Sequence, residues 1–181
     1  PATGTIGNGH GTAAYFGLEK EVDIQLGTLS KSLGSVGGYV AGNSTIIDYL
    51  VNTSRSFIFS TALSPADIGA ALAALHILES DVSVLRRLHE NVNYMADQLI
   101  SMGINATNET PIFPILIGRN EDTLAVSNYL YEAGIIGTAI RPPTVPIGES
   151  RIRLTVTAAH NKEQIDYVCQ SLHNAMKQLE S

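Results

Sequence analysis

The sequence predicts an α/β protein in two parts, and three observations carry that prediction. Short apolar stretches of period two alternate with longer ones of period three to four. Glycines and prolines punctuate the joins between them. Near Glu79-Ser80-Asp81 one helical pattern breaks off and another begins, which divides the chain into 1–80 and 81–181. With 44% apolar and 15% charged residues, the 181-residue chain can bury a core and is too apolar for wholesale disorder.

Gly4, Gly7, Gly9 and Gly11 make the first segment turn-rich. Val22 to Leu29 reads as a strand, and Gly37 to Gly42 as a second. Ser44 is placed to cap a helix carrying Ile46, Ile47, Tyr49 and Leu50. Phe57-Ile58-Phe59 is short enough for a buried strand. Ser64-Pro65-Ala66-Asp67 combines a cap, a proline at the first helical position and a carboxylate two residues on. The helix it starts is expected to bury Ile68, Leu72 and Leu75 and, being rich in alanine, to pack closely on a sheet.

Beyond Ser80, Leu85, Leu88, Val92, Met95 and Leu99 mark one face of a long helix that Gly103 closes. A strand over 111–117, a helix over 120–133 closed by Gly134, and a strand over 135–140 follow. Arg141 to Pro146 is a stiff extended loop. Arg151 to Thr157 alternates cleanly, and Asn161 with Gln164 caps a last helix bearing Ile165, Val168, Leu172, Met176 and Leu179.

Composition excludes several functions. Eleven Lys plus Arg stand against 17 Asp plus Glu, a net charge of −6, which argues against a nucleic-acid surface. The best candidate for a membrane span, Ile68 to Leu78, is too short and is interrupted by His76. One cysteine, Cys169, leaves no internal disulfide framework and no cysteine-rich zinc site, and fits a reducing, cytoplasmic compartment. Pro1 opens no signal peptide, so the four N-x-[ST] triplets at Asn43, Asn52, Asn105 and Asn108 read as ordinary surface. None of the histidines has a partner at metal-ligand spacing, so no metal site is expected.

Two places can carry chemistry. Thr28-Leu29-Ser30-Lys31-Ser32 puts a lysine in a hydroxyl-rich turn directly after a strand. Such a lysine is ordinarily a solvated surface charge. The hydroxyls of Thr28 and Ser30 can also bind a phosphate, and the lysine, once its amine is deprotonated, can bond covalently to an aldehyde cofactor. In Arg151-Ile152-Arg153-Leu154-Thr155-Val156-Thr157, period two places the aliphatic residues on one face and both arginines on the other. That pattern describes either a half-solvated edge strand or an arginine fork for a carboxylate, and spacing leaves the two open. Gly7-Asn8-Gly9-His10-Gly11 fails as a dinucleotide fingerprint, since Thr12 stands where the third glycine belongs.

The run Gly27 to Gly34, with Gly37-Gly38-Tyr39, resembles the cofactor-lysine segment of the α-oxoamine synthases. These are pyridoxal-phosphate enzymes of the aspartate-aminotransferase fold. The likeness continues through Phe57 to Pro65 and is sharpest at Thr138 to Pro146 and Arg151 to His160. The resemblance implies the C-terminal part of that fold: the end of the cofactor-binding large domain over 1–80 and a small α/β domain over 81–181. It implies that Lys31 holds pyridoxal phosphate, that Thr28 contacts its phosphate with Ser30 beside it, and that Ser60 or Thr61 reaches the phosphate of a neighbouring subunit's cofactor. A homodimer with shared sites follows. Arg153 would grip the substrate carboxylate.

The implied reaction joins an amino acid to an acyl-CoA with loss of carbon dioxide. The Arg141 to Pro146 run points to the family member using alanine and pimeloyl-CoA, or its carrier-protein equivalent, over one using glycine and acetyl-CoA. A non-catalytic dimerising module is the rival from another class. In the family, the Thr3-Gly4-Thr5-Ile6-Gly7 segment follows an acidic stretch whose aspartate pairs with the pyridine nitrogen, and a histidine further upstream stacks on the ring. Here Pro1 stands where that stretch ends, so the chain by itself is expected to be inactive.

Overall fold

The computed structural model describes residues 3–179. Pro1, where the sequence meets the family's acidic stretch, lies outside the described residues. The chain divides into two compact units, one up to Leu85 and one from Arg86.

In the first unit a turn-rich segment contains a 3₁₀ turn at Gly7–Gly9 and a single helical turn α1 (Thr12–Tyr15). Its backbone-to-backbone hydrogen bonds are local, from the Gly4 amide to the Gly9 carbonyl at 2.7 Å and from the Gly11 amide to the Ile6 carbonyl at 3.0 Å. This is the plain tight turn that the failed dinucleotide pattern left. Strands β1 (Ile24–Thr28) and β2 (Gly38–Gly42) pair antiparallel with Gly27 opposite Tyr39. The Tyr39 ring lies where a side chain at Gly27 would be: an added Cβ would meet the ring at 2.4 Å. Gly27 is therefore required by close approach.

Helix α2 (Ser44–Thr53) is capped by Asn43, whose Oδ1 accepts from the Ile46 amide at 2.9 Å; the cap falls one residue earlier than Ser44. Phe57-Ile58-Phe59 does not form a buried strand. The Ser54 carbonyl accepts from the Phe57 and Ile58 amides, giving one helical turn, α3 (Arg55–Ile58), and Arg55 sits 5.6 Å from the centre of the exposed Phe59 ring. This backbone pairing, with Arg55 stacked against the Phe59 ring, holds the run in a turn instead of a strand.

Helix α4 (Pro65–Ser80) starts as predicted, with the Asp67 amide donating to Ser64 Oγ at 3.2 Å. Its burial differs from expectation: Ala71 is buried, while Ile68, Leu72 and Leu75 are 45%, 61% and 39% exposed. Apolar residues run around the whole helix, a pattern that calls for cover on every side, and within this unit that cover is sparse.

The second unit holds the larger core. It is entered by α5 (Val82–Ser101), followed by β3 (Ile112–Gly118), α6 (Asn120–Glu132), β4 (Thr138–Ile140), β5 (Ser150–Thr155) and α7 (Lys162–Leu179). The sheet order is β3-β5-β4, all antiparallel. Phe113 and Ile115 of β3 with Ile152 and Leu154 of β5 are buried, as are Met95 and Leu99 of α5, Leu130 of α6 and Leu172 of α7. Gly103 closes α5 in left-handed conformation, its amide donating to Ile100 and that of Ile104 to Leu99, which satisfies two orphan carbonyls. Gly134 closes α6 in the same way, which takes Ile135 out of the expected strand and shortens β4 to Thr138–Ile140. At α7 the capping box is complete: the Gln164 amide donates to Asn161 Oδ1 at 2.8 Å and the Asn161 amide to Gln164 Oε1 at 3.0 Å.

Cys169 is buried beside Met95, with sulfurs 3.6 Å apart. Burial, and then the nearby Asp166 carboxylate, push its thiol up to about 11. At pH 8 the thiolate fraction is then small, and Cys169 is expected to resist iodoacetamide until urea unfolds the second unit. Because the folded value is the higher one, this group adds stability that is complete below the unfolded thiol's range and lost as pH rises through about 11.

Candidate active-site segments

In the first unit Lys31 follows β1 in a turn closed on itself. The Leu29 amide donates to Gly37, the Ser35 amide to Leu29 and the Gly34 amide to Lys31, all between 2.9 and 3.0 Å. Leu33 is buried and anchors the turn, whereas Lys31 is exposed and its side-chain amine makes no hydrogen bond or ion pair among the described residues. Thr28 and Ser30 are brought together, with hydroxyl oxygens 2.7 Å apart and the Ser30 amide donating to Thr28 Oγ1 at 3.2 Å. Two hydroxyls side by side, one and three residues from a lysine, suit the oxygens of a phosphate ester attached to an aldehyde.

Sequence reasoning missed what braces this turn. Ser32 Oγ donates to the Thr3 carbonyl, Tyr39 Oη lies 3.3 Å from Thr3 Oγ1, and Gly4 (φ 79°) has no room for a Cβ against Ser32. The glycine-rich start of the chain is thus the buttress of the lysine turn. On its other side Ser35 Oγ donates to the Asp67 carbonyl at 2.6 Å, and a Cβ on Gly37 would collide with Leu63. Leu63 and Asp67, a few residues beyond Ser60 and Thr61, therefore lie beside the turn, and Ser60 and Thr61 are exposed.

In the second unit β5 is the middle strand, not an edge. Ile152 and Leu154 face the core, and Arg151, Arg153 and Thr155 face outward. The two arginines, equivalent by spacing, differ in the structure. Arg151 lies between Leu116 and Ile140, its cross-strand partners. It donates from Nε to the Glu149 carbonyl and from one terminal nitrogen to Glu149 Oε2, both at 2.9 Å. Arg153, opposite Pro114 and Thr138, is exposed and has no ion-pair partner among the described residues.

The same unit holds a cavity of about 680 Å³ at the end of β5, lined by Met95, Ile135, Leu154, Thr157, His160 and Tyr167. His160 helps shape it: its Nδ1 accepts from the Thr157 amide at 3.1 Å, and Asn91 Nδ2 donates to the carbonyls of both residues. Among the described residues no group of three or more His, Cys, Asp or Glu can hold a metal ion. No single helix there is long and apolar enough to cross a membrane.

The family model for aminotransferase class I and II matches residues 2–172. A curated relative, 8-amino-7-oxononanoate synthase 1 of Bacillus velezensis, is 42% identical over 99% of this chain and 46% of its own length. A solved structure of SPT with PLP superposes with a TM-score of 0.93 at 27% identity, over 99% of this chain and 46% of that one. The 8-amino-7-oxononanoate synthase of Francisella tularensis does so with a TM-score of 0.84 at 25% identity, over 98% and 53%. The chain spans about half the length of the curated relatives it matches. With the match running almost end to end, this chain belongs to the aminotransferase class I and II family.

Proposed function

We propose that the protein carrying this chain is a pyridoxal-phosphate-dependent acyltransferase. It would join alanine to pimeloyl-CoA with loss of carbon dioxide, giving 8-amino-7-oxononanoate for biotin synthesis. The observation that carries the reading is a lysine whose amine has no partner among the described residues, held in a braced turn beside the paired hydroxyls of Thr28 and Ser30. The names of the relatives support the choice of reaction.

When bound, pyridoxal phosphate supplies an electron sink for negative charge on the amino-acid α-carbon. This chain's residues do the rest of their share. Thr28 and Ser30 hold the phosphate, and Lys31 Nζ fixes the cofactor and then takes the α-proton as general base. Arg153 binds the substrate carboxylate, and Ser60 or Thr61 reaches the phosphate in a second subunit, which makes the protein a homodimer with shared sites. In this reading residues 1–80 close the large domain and 81–181 form the small one. The cytoplasm is its compartment, and the 181 residues by themselves are inactive.

The test is product formation by the full-length protein from alanine and pimeloyl-CoA, set against glycine and acetyl-CoA, together with borohydride trapping of pyridoxal phosphate. Trapping at Lys31 and turnover of the first pair support the proposal. Trapping elsewhere, or turnover of the second pair alone, overturns it. Arg153→Gln is expected to raise the KM for alanine roughly 10- to 100-fold, the loss of a charge-assisted hydrogen-bond pair.

A further inference from the structure

We propose that Glu149 is a positioning residue that neutralises Arg151 and so limits the outer face of β5 to a single carboxylate, bound at Arg153. This rests on the reading of Arg153 as the carboxylate site and adds how that site counts charges.

The argument begins with spacing. Residues two apart on a strand project from the same face about 7 Å apart. Two free guanidinium groups so placed would clamp a dicarboxylate as readily as they would hold an amino acid. Glu149 prevents this. Its carbonyl and its carboxylate each accept from Arg151 at 2.9 Å, so one residue both fixes the guanidinium and cancels its charge. Leu116 and Ile140 flank Arg151 in the sheet and leave its side chain 27% exposed, which lowers screening and strengthens the pairing.

Glu149 is itself held by the fold. Its amide donates to Pro146 at 3.1 Å, and the next residue, Ser150, is buried and donates from Oγ to Asn120 Oδ1 at 2.6 Å. Among the described residues Arg153 has no counterpart to Glu149. The face therefore presents one uncompensated positive charge out of two.

Glu149→Gln tests this, because glutamine keeps the carbonyl and the side-chain shape and removes only the charge. The 181-residue chain is labelled with ¹⁵N and titrated with acetate and, separately, glutarate at constant ionic strength, following the arginine Nε–Hε signals. In the unaltered chain both anions are expected to shift Arg153 and leave Arg151 in place. In Glu149→Gln glutarate is expected to shift both arginines and to gain about three- to tenfold over acetate. The double variant Glu149→Gln/Arg151→Gln is expected to return that ratio to its starting value.

An unchanged glutarate-to-acetate ratio in Glu149→Gln, with Arg153 still responding, overturns the role of Glu149 and leaves Arg153 as the carboxylate site. Failure of acetate to move Arg153 in the unaltered chain overturns both. A gain that persists in the double variant overturns the assignment to Arg151.

Discussion

Lys31→Ala is expected to lower turnover by the full-length protein about 10²- to 10⁴-fold or more, the size of a lost general base. Stability should stay within about 0.5 kcal/mol of the parent, as for other exposed residues without partners. The two expectations follow from the same geometry. Lys31 is exposed, and the turn is held by backbone hydrogen bonds of Leu29, Gly34 and Ser35 and by buried Leu33. None of these uses the lysine amine. Activity on alanine and pimeloyl-CoA measures the first expectation and a urea melt the second. If the variant lost stability along with activity, the lysine would be a structural residue. Near-normal turnover would remove the proposed base.

Phe113→Ala is expected to destabilise the second unit by about 3–5 kcal/mol. Phe113 is 1% exposed and stands opposite Leu154 in the sheet, among the largest fully buried side chains of the chain. Truncating it removes aromatic surface from the core and leaves a void that the paired strands β3 and β5 cannot easily close. Against a typical domain stability of about 5–15 kcal/mol, that loss is a large fraction. The urea midpoint of the second unit should fall with little change of slope. Phe113→Leu should cost far less, because it refills most of the volume. A small shift for the alanine variant would mean that Phe113 is not the keystone its burial indicates.

Much of the second unit is legible in the residues, because its signals are local and reinforce one another. The capping box at Asn161 and Gln164, the glycine stops at Gly103 and Gly134, and the alternation through β5 all rest on neighbours a few positions apart. The first unit is less legible for a physical reason. The apolar residues of α4 run around the helix, so periodicity cannot say which of them a partner covers, and Ile68 and Leu72 turn out exposed. Phe57-Ile58-Phe59 misleads because three apolar residues fit a strand and a helical turn equally, and the structure closes a turn there on the Ser54 backbone carbonyl.

At the candidate site the lysine turn is readable, since its chemistry lies in the five consecutive residues from Thr28 to Ser32. Its bracing by Thr3, Tyr39 and Leu63 is not, because those contacts join residues about 26 to 36 positions apart. The difference between Arg151 and Arg153 is likewise invisible to period two, which treats them alike. It depends on Glu149, placed by the turn before the strand.

The middle position of β5 has one more consequence. With β3 on one flank and β4 on the other, the strand is zipped along both margins. A slide by a single residue would turn its greasy side outward and drive two cations into oil. Aim and solidity are thus the same property in this strand: the pairing that keeps β5 in place is also what gives its guanidinium groups their bearing.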